Sequence, residues 1–385
     1  MISPPRVAVS VEFLAFGIAG GSVVPRLPFF KEHLALTDGQ VGIAFLGFSL
    51  GGITGAFLAR LVIHRDARLY ARLGVLALCA TLVGPGLAAG FGQLVASFYL
   101  IGCCWGVVDV LANAQGAQLE HTEGRPLING LHGFWSLGAV IGSALAGAAA
   151  YFGVAPLMQF IVVGLVVAVA SYRVLRFLPV YGEVAQLGSR GTMSAAVIAV
   201  AAMTFTGVIA EGGTADWSPL FLRELSHASP AMAAAGITGF SLAAMLVRFR
   251  ADVLTARTSR VIVARLGAAI AVGGLVLAIA LPALPTAIAG FALVGMGTAV
   301  VLPLSFAAGA NLGQTGTPLA IVMASTYAGT IAGPPAIGAA ADHFGLRAAM
   351  TIPLLAAVVV LLLAGSLRRA YASPQMKRIT ASMPR

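Results

Sequence analysis

The chain has 385 residues, of which 23 are Lys or Arg and 13 Asp or Glu, so charge occupies only 9% of positions. A soluble domain carries ~25%; with 59% hydrophobic residues and 47 glycines, this composition excludes a soluble enzyme, a disordered chain and a disulfide-stapled secreted domain. It leaves an all-α polytopic membrane protein, and the formal charge of +10 calls for basic loops against an anionic leaflet rather than for nucleic acid.

Apolar runs fall near residues 8–29, 41–61, 71–90, 93–114, 129–152 and 155–175, then near 194–215, 230–247, 261–281, 286–308, 319–341 and 348–367. Each suits a span of ~20 residues, which makes twelve transmembrane helices. Met1–Arg6 leads straight into the first run without a small-residue cleavage site, so that run reads as a span and not a removed signal peptide. Cys79, Cys103 and Cys104 all lie inside apolar runs without metal-ligand spacing and read as packing residues. The longest polar connection, Ser171–Met193, separates the sixth span from the seventh. The expected division is therefore a six-helix bundle over 1–175, a cytoplasmic linker over 176–193, a second bundle over 194–370 and a cytoplasmic tail over 371–385.

Charge sets the orientation. With both termini cytoplasmic, that side holds Arg6, Arg60, Arg65, Arg68, Arg72, Arg125, Arg173, Arg176, Arg190, Arg248, Arg250, Arg257, Arg260, Arg265 and the C-terminal Arg368, Arg369, Lys377, Arg378 and Arg385, or 19 of the 23 basic residues. The other side keeps Arg26, Lys31, Arg223 and Arg347. The positive-inside rule thus supports twelve spans in a cell inner membrane with both termini inside.

The two halves repeat one another at a shift of 191–193 residues. Ala71-Arg72-Leu73-Gly74 recurs as Ala264-Arg265-Leu266-Gly267, and Gly147–Gly153 recurs as Gly338–Gly345. Ile18–Ser22 likewise lies opposite Ile209–Thr214. Because six is even, the second half repeats the first in the same membrane orientation. Parallel repeats of this kind carry substrate between the halves near the midplane.

Twelve spans in two parallel halves, with basic loops after spans two and eight, resemble the major facilitator superfamily. Its signature in those loops is roughly Gly-x-x-x-Asp-Arg-x-Gly-Arg. Arg248-Phe249-Arg250-Ala251-Asp252 followed by Arg257 is a loose match that retains the acid. The first-half loop has Ile63 and His64 where the family usually has Asp-Arg. Within the family, Gly106-Val107-Val108-Asp109-Val110-Leu111-Ala112-Asn113 is similar to the Gly-x-x-Glu-x-x-Ala-Asn stretch of bacterial fucose/proton symporters, whose carboxylate belongs to a proton-coupled sugar site. The following segment aligns with a sugar-contacting Gln-x-x-Asn motif, but here those positions are His132 and Trp135.

Inside hydrocarbon every carboxylate needs a reason, since each costs ~2.5–3.5 kcal/mol on insertion scales. Asp109 lies deep in the fourth span with no basic neighbour in sequence, which suits a proton-coupling group. Trp105, Asp109 and Asn113 recur every four residues and share one helix face: an aromatic surface, a carboxylate and an amide suited to a hydroxylated ligand. Helix–helix adhesion between polar groups is the competing reading. His132 can relay a proton to Asp109 or cap its helix, and Trp135 can line the cavity or anchor at the interface. Glu12, one turn into the first span, reads as an interfacial side chain. Glu211 and Asp216 cluster with Trp217 toward the outer end of the seventh span, opposite Arg26. Glu211 is a second proton-coupling candidate, Arg26 is expected to pair with Asp216 or Glu211 across the outer mouth, closing it in the inward-facing state, and Asp252 is a gating charge on the inner side. Glycine pairs such as Gly51/Gly55, Gly102/Gly106 and Gly138/Gly142 read as helix-packing positions. Gly333-Pro334-Pro335 with Gly338 is expected to break the eleventh helix.

No phosphate-binding loop or His-Glu-x-x-His element is present, so an ATPase and a metalloprotease are not expected. The expectation is a secondary transporter, not an enzyme and without cofactor or metal, a monomer among membrane lipids. It moves a small polar, sugar-like solute by alternating access, coupled to protons. The alternatives are multidrug or metabolite efflux by proton antiport, and a non-transporting membrane sensor or scaffold. Span five lacks the Gly-Pro motif typical of drug/proton antiporters, which weighs against efflux.

Overall fold

A computed structural model describes residues 3–63, 65–179, 194–312 and 317–371. The expected linker therefore lies mostly outside the described residues, as does nearly all of the tail. The described chain is helical throughout: α1 (Pro4–His33), α2 (Asp38–Val62), α3 (Ala67–Leu87), α4 (Phe91–Glu123), α5 (Ile128–Tyr151), α6 (Pro156–Tyr172), α7 (Ala195–Leu225), α8 (Pro230–Arg248), α9 (Arg260–Ala280), α10 (Leu284–Asn311), α11 (Thr317–Phe344) and α12 (Leu346–Ser366). Ten of these are long and apolar enough to cross a membrane. The exceptions are α6, with 17 residues, and α11, which carries Ser, Thr, Gly and Pro in its middle. The twelve expected spans are present, in the order and places read from the sequence.

Local chemistry sets the ends. Thr37 and Gln40 cap α2 reciprocally: the Gln40 N–H donates to the Thr37 hydroxyl, and the Thr37 N–H to the Gln40 side chain. Gly124 stops α4 in the left-handed region at φ 67°, a conformation open to glycine at little cost. The face where Pro4 begins α1 is called near, and the face holding the turn from His33 to Asp38 is called far.

Packing is inverted relative to a soluble protein. Leu165, Val166 and Val169 of α6 and Leu355 and Leu362 of α12 point outward to where lipid would lie, while glycines sit where helices cross. A Cβ on Gly51 or Gly55 would stand 2.1 or 2.0 Å from backbone oxygens of α4, and one on Gly102 or Gly106 would stand 2.1 Å from those of α2. Lipid is as apolar as leucine, so helices in a membrane adhere by close backbone approach rather than by hiding oil from water.

The halves meet along two seams. At the first, α5 runs against α8 from Gly147–Ala234 near the far face, through Ser143–Thr238, to Gly133–Phe249 near the other. At the second, the far halves of α2 and α11 are joined by Thr37–Asp342 (2.9 Å) and Ser49–Thr330 (2.8 Å), with the Gly42 backbone against Pro334 between them. The double proline does not break α11, contrary to expectation. Pro334 has no N–H for the Thr330 carbonyl one turn back, and the Ser49 hydroxyl donates to that oxygen instead. A neighbouring helix thus satisfies the freed group, which lets the helix continue.

At the far mouth the ends of α1 and α7 meet. Lys31 pairs with Glu224 (2.5 Å) and Asp38 (2.6 Å), and Arg223 with Glu32 (2.7 Å). The partners Lys31/Glu224 and Glu32/Arg223 are 193 and 191 residues apart. That separation equals the internal repeat, as expected for residues meeting on the pseudo-two-fold axis.

Candidate functional site

The α4 stripe folds as its spacing requires. Asn113 Nδ2 donates to the Asp109 backbone oxygen (2.9 Å) and to Asp109 Oδ1 (2.8 Å). With the amide turned that way, Asn113 Oδ1 is an acceptor, and it stands 3.2 Å from His132 Nε2 on α5. An Nε2–H imidazole satisfies both groups. A carboxylate, an amide and an imidazole thus form one chain across two helices.

Aromatic rings wall this chain. Phe16 of α1 meets Trp105 edge-on at 5.0 Å, Phe48 of α2 meets the same indole at 5.6 Å, and Phe13 meets His132 at 5.2 Å. Gly20 makes room for the indole, since a Cβ there would stand 2.7 Å from the Trp105 ring. Trp135 lies 6.3 Å from Phe16.

A second cluster comes from the other half. Arg248 of α8 donates through Nη2 to Glu211 Oε1 of α7 (2.5 Å) and through Nη1 to Ser136 Oγ of α5 (2.6 Å). Its guanidinium also lies 5.0 Å over the Trp135 ring. Arg248 and Glu211 are only 6% and 9% exposed. Breaking such a buried pair from one side typically costs ~3–5 kcal/mol, because it strands the other charge. His132, Trp135 and Ser136 share one face of α5, so this helix turns the imidazole to Asn113 and the indole and hydroxyl to Arg248. Tyr327 of α11 lies within electrostatic range of Asp109.

Of the residues singled out from sequence, Trp105, Asp109, Asn113, His132, Trp135 and Glu211 are gathered around this place. Others stand elsewhere. Arg26 is buried but pairs with neither Asp216 nor Glu211; it donates to Gln159 Oε1 (2.5 Å) and to the Val154 carbonyl (2.9 Å) within its own half. Glu211 is not at the outer end of α7 but near the middle of that 31-residue helix. Asp216 is half-buried one turn beyond Gly212. Asp252 accepts a hydrogen bond from Asn129 of α5, bridging the halves near the near face. Glu12 is not interfacial at all: it is fully buried.

Sequence reasoning missed Arg248, Ser136, Tyr327 and Phe16. Arg248 closes an apolar run and opens a basic loop, so it counts naturally as a loop charge. In the structure it is the last residue of its helix, and its long side chain runs back into the seam. Among the described residues no cluster of three or more His, Cys, Asp or Glu is placed to hold a metal.

Twelve spans in two parallel halves, with a polar site shared between them, define a membrane transport fold. The chain belongs to the Major Facilitator Superfamily, whose profile matches residues 9–317. It is 30% identical over 376 residues to an uncharacterised transporter of Sinorhizobium fredii, covering 96% of this chain and 99% of that one. It is 29% identical over 356 residues to an uncharacterised superfamily transporter of Yersinia pestis, covering 89% and 91%. Among solved structures, a bacterial homologue of the human lysosomal transporter Spinster, in an inward-facing and occupied conformation, superimposes with a TM-score of 0.68 at 14% identity, covering 96% and 97%. A variant of the nucleoside transporter NupG gives 0.72 at 10% identity, covering 96% and 100%. At those identities the likeness concerns the fold alone.

Proposed function

We propose that this chain is a proton-coupled secondary transporter of the inner membrane for a small polar solute, with the near face and both termini cytoplasmic. The observation that carries the reading is the Asp109–Asn113–His132 chain, walled by Trp105, Phe16 and Trp135 and placed beside the Arg248–Glu211 pair of the other half, which reaches across to Ser136. A hydroxylated solute suits it: the amide and carboxyl hydrogen-bond hydroxyls while an indole face packs on the C–H face of the molecule. The similarity of the Gly106–Asn113 stretch to fucose/proton symporters supports the same substrate class, and His132 and Trp135 argue for a different sugar-like solute.

Coupling follows from desolvation. Among the described residues no cation pairs with Asp109, Arg248 being committed to Glu211, and a lone carboxylate in hydrocarbon is costly. A proton on Asp109 removes that cost and adds a donor for the solute, so proton and solute bind each other's favoured state. Glu211 is the second coupling group: its protonation releases Arg248 and loosens the grip of α8 on α5. The pairs at the far mouth hold that side shut, and the α5–α8 seam with Asn129–Asp252 is the hinge along which the halves rock.

The test is transport by purified protein in proteoliposomes loaded with a pH-sensitive dye and challenged with sugars, polyols, nucleosides and amino acids. Solute-dependent proton movement by at least one class supports the reading. Solute flux without any proton movement would remove the coupling half of it. Efflux of apolar cations in exchange for protons would favour the antiport alternative.

A further inference from the structure

One buried acid takes no part in the chemistry of the Asp109 chain. Glu12 of α1 is 0% exposed, and neither carboxyl oxygen has a hydrogen-bond partner. Gln115 of α4 is also 0% exposed, with both its amide atoms unpartnered. Two such side chains in one half-bundle are unusual, since nearly all buried polar groups are paired.

The helix register brings the two to one level. The helices run antiparallel, and the Ser3 hydroxyl donates to Glu123 Oε1 at their near ends. Nine residues up α1 is Glu12 and eight residues down from Glu123 is Gln115, or ~13 and ~12 Å at the helical rise. The Phe13 ring lies 4.0 Å from the Cβ position of Gly116, which fixes the same alignment one residue along.

The pair lies behind the solute site rather than in it. One turn above Glu12, Phe16 carries the edge contact to Trp105; beside Glu12, Phe13 carries the one to His132. The charged and titratable groups on the surrounding elements are engaged elsewhere. On α4, Glu120 accepts from the Leu127 and Ile128 N–H groups, and Glu123 is held by Ser3, Arg6 and Arg125. On α3, Arg68 donates to the Leu178 carbonyl and Arg72 stacks on Tyr172. Beyond α6, Arg176 lies over the Phe177 ring, and on α5, His132 faces Asn113. Among the described residues no cation therefore reaches Glu12 to offset a charge, and a single amide oxygen supplies too few ligands for a metal ion. A proton is the one ligand the surroundings fit.

We propose that Glu12 and Gln115 form a second proton-binding site inside the N-terminal half, separate from the Asp109 chain, in which Glu12 is a neutral carboxylic acid while the far mouth is closed. The proton enters from near-face water and adds to one carboxylate oxygen; it leaves when the helices part enough to wet the site. Because Phe13 and Phe16 carry the adjoining turn of α1 onto the solute site, a change of charge at Glu12 shifts the wall against which the solute packs.

Infrared spectroscopy of the purified, full-length protein at neutral pH tests this without any solute. The wild type should show a carbonyl band of protonated carboxylic acid, sensitive to exchange into deuterium oxide. Glu12→Gln, which preserves shape and neutrality, should lose one group's amplitude from that band, and Asp109→Asn should retain it. Gln115→Leu should shift the band in frequency without removing it. An unchanged acid band in Glu12→Gln would overturn the proposal, as would loss of the Glu12 contribution on adding sodium ions at constant pH. Should Glu12→Gln prove unstable, Gln115→Leu and the sodium titration of the wild type still decide it. Failure of proton-coupled transport with an intact Glu12 band would count against the Asp109 reading and not against this one.

Discussion

Arg248 shows how much one side chain can organise in a low-dielectric seam. It touches α7 through Glu211 and α5 through Ser136 and Trp135, so two helices of one half and one of the other share a single cation. Arg248→Ala should destabilise the protein by ~3–5 kcal/mol, because Glu211 is left buried without its partner. Unfolding in detergent micelles measures this, and Arg248→Met combined with Glu211→Leu should recover most of the loss. Arg248→Lys should not rescue, since an ammonium cannot reach the hydroxyl and carboxylate as a fork while lying over the indole. The i, i+4 spacing makes the shared face of Trp105, Asp109 and Asn113 legible from sequence alone. The pairing of Glu211 is not legible there, because periodicity gives the face of a residue and not the reach of an arginine from another helix. The burial of Glu12 escapes for a related reason: distance from the start of a span does not reveal whether that face meets lipid or the bundle interior.

At the scale of the element, helix packing follows from sequence and helix continuity does not. The small-xxx-small glycines face backbones at distances that exclude a side chain, as their spacing indicates. A bulky replacement such as Gly55→Leu should therefore cost ~1–3 kcal/mol or prevent folding, read as loss of the monodisperse species on gel filtration. The continuity of α11 depends on a contact 281 residues away in sequence, Ser49 to Thr330, which no local pattern contains. Ser49→Ala leaves the Thr330 carbonyl without that donor at a cost of ~1–3 kcal/mol, and should raise amide hydrogen exchange around Pro334. Ser49→Thr keeps a hydroxyl at this position and should retain the protection.

For the whole molecule the internal repeat is the organising fact. Span count, order and parallel halves are all readable because hydrophobicity and the positive-inside bias act at the scale of the chain. Closure of the far mouth between α1 and α7 is readable from the repeat as well, but not its cation. Lys31, Glu32, Arg223 and Glu224 form it in place of Arg26, one helical turn or more further out, while Arg26 braces α1 against α6. These pairs are partly solvated, and each is worth only ~0.2–1 kcal/mol. Arg223→Glu should therefore raise the far-open population by no more than about fivefold, and adding Glu32→Arg should reverse the shift. Distances between spin labels on the far ends of α1 and α7 report both.

Proton movement in dye-loaded proteoliposomes, compared between the wild type and Asp109→Asn, bears most directly on the central assignment. A solute that drives protons through the wild type should drive none through Asp109→Asn, although the variant folds and still binds that solute. If Asp109→Asn moves protons with the solute as the wild type does, the carboxyl of α4 is not the coupling group and the account fails.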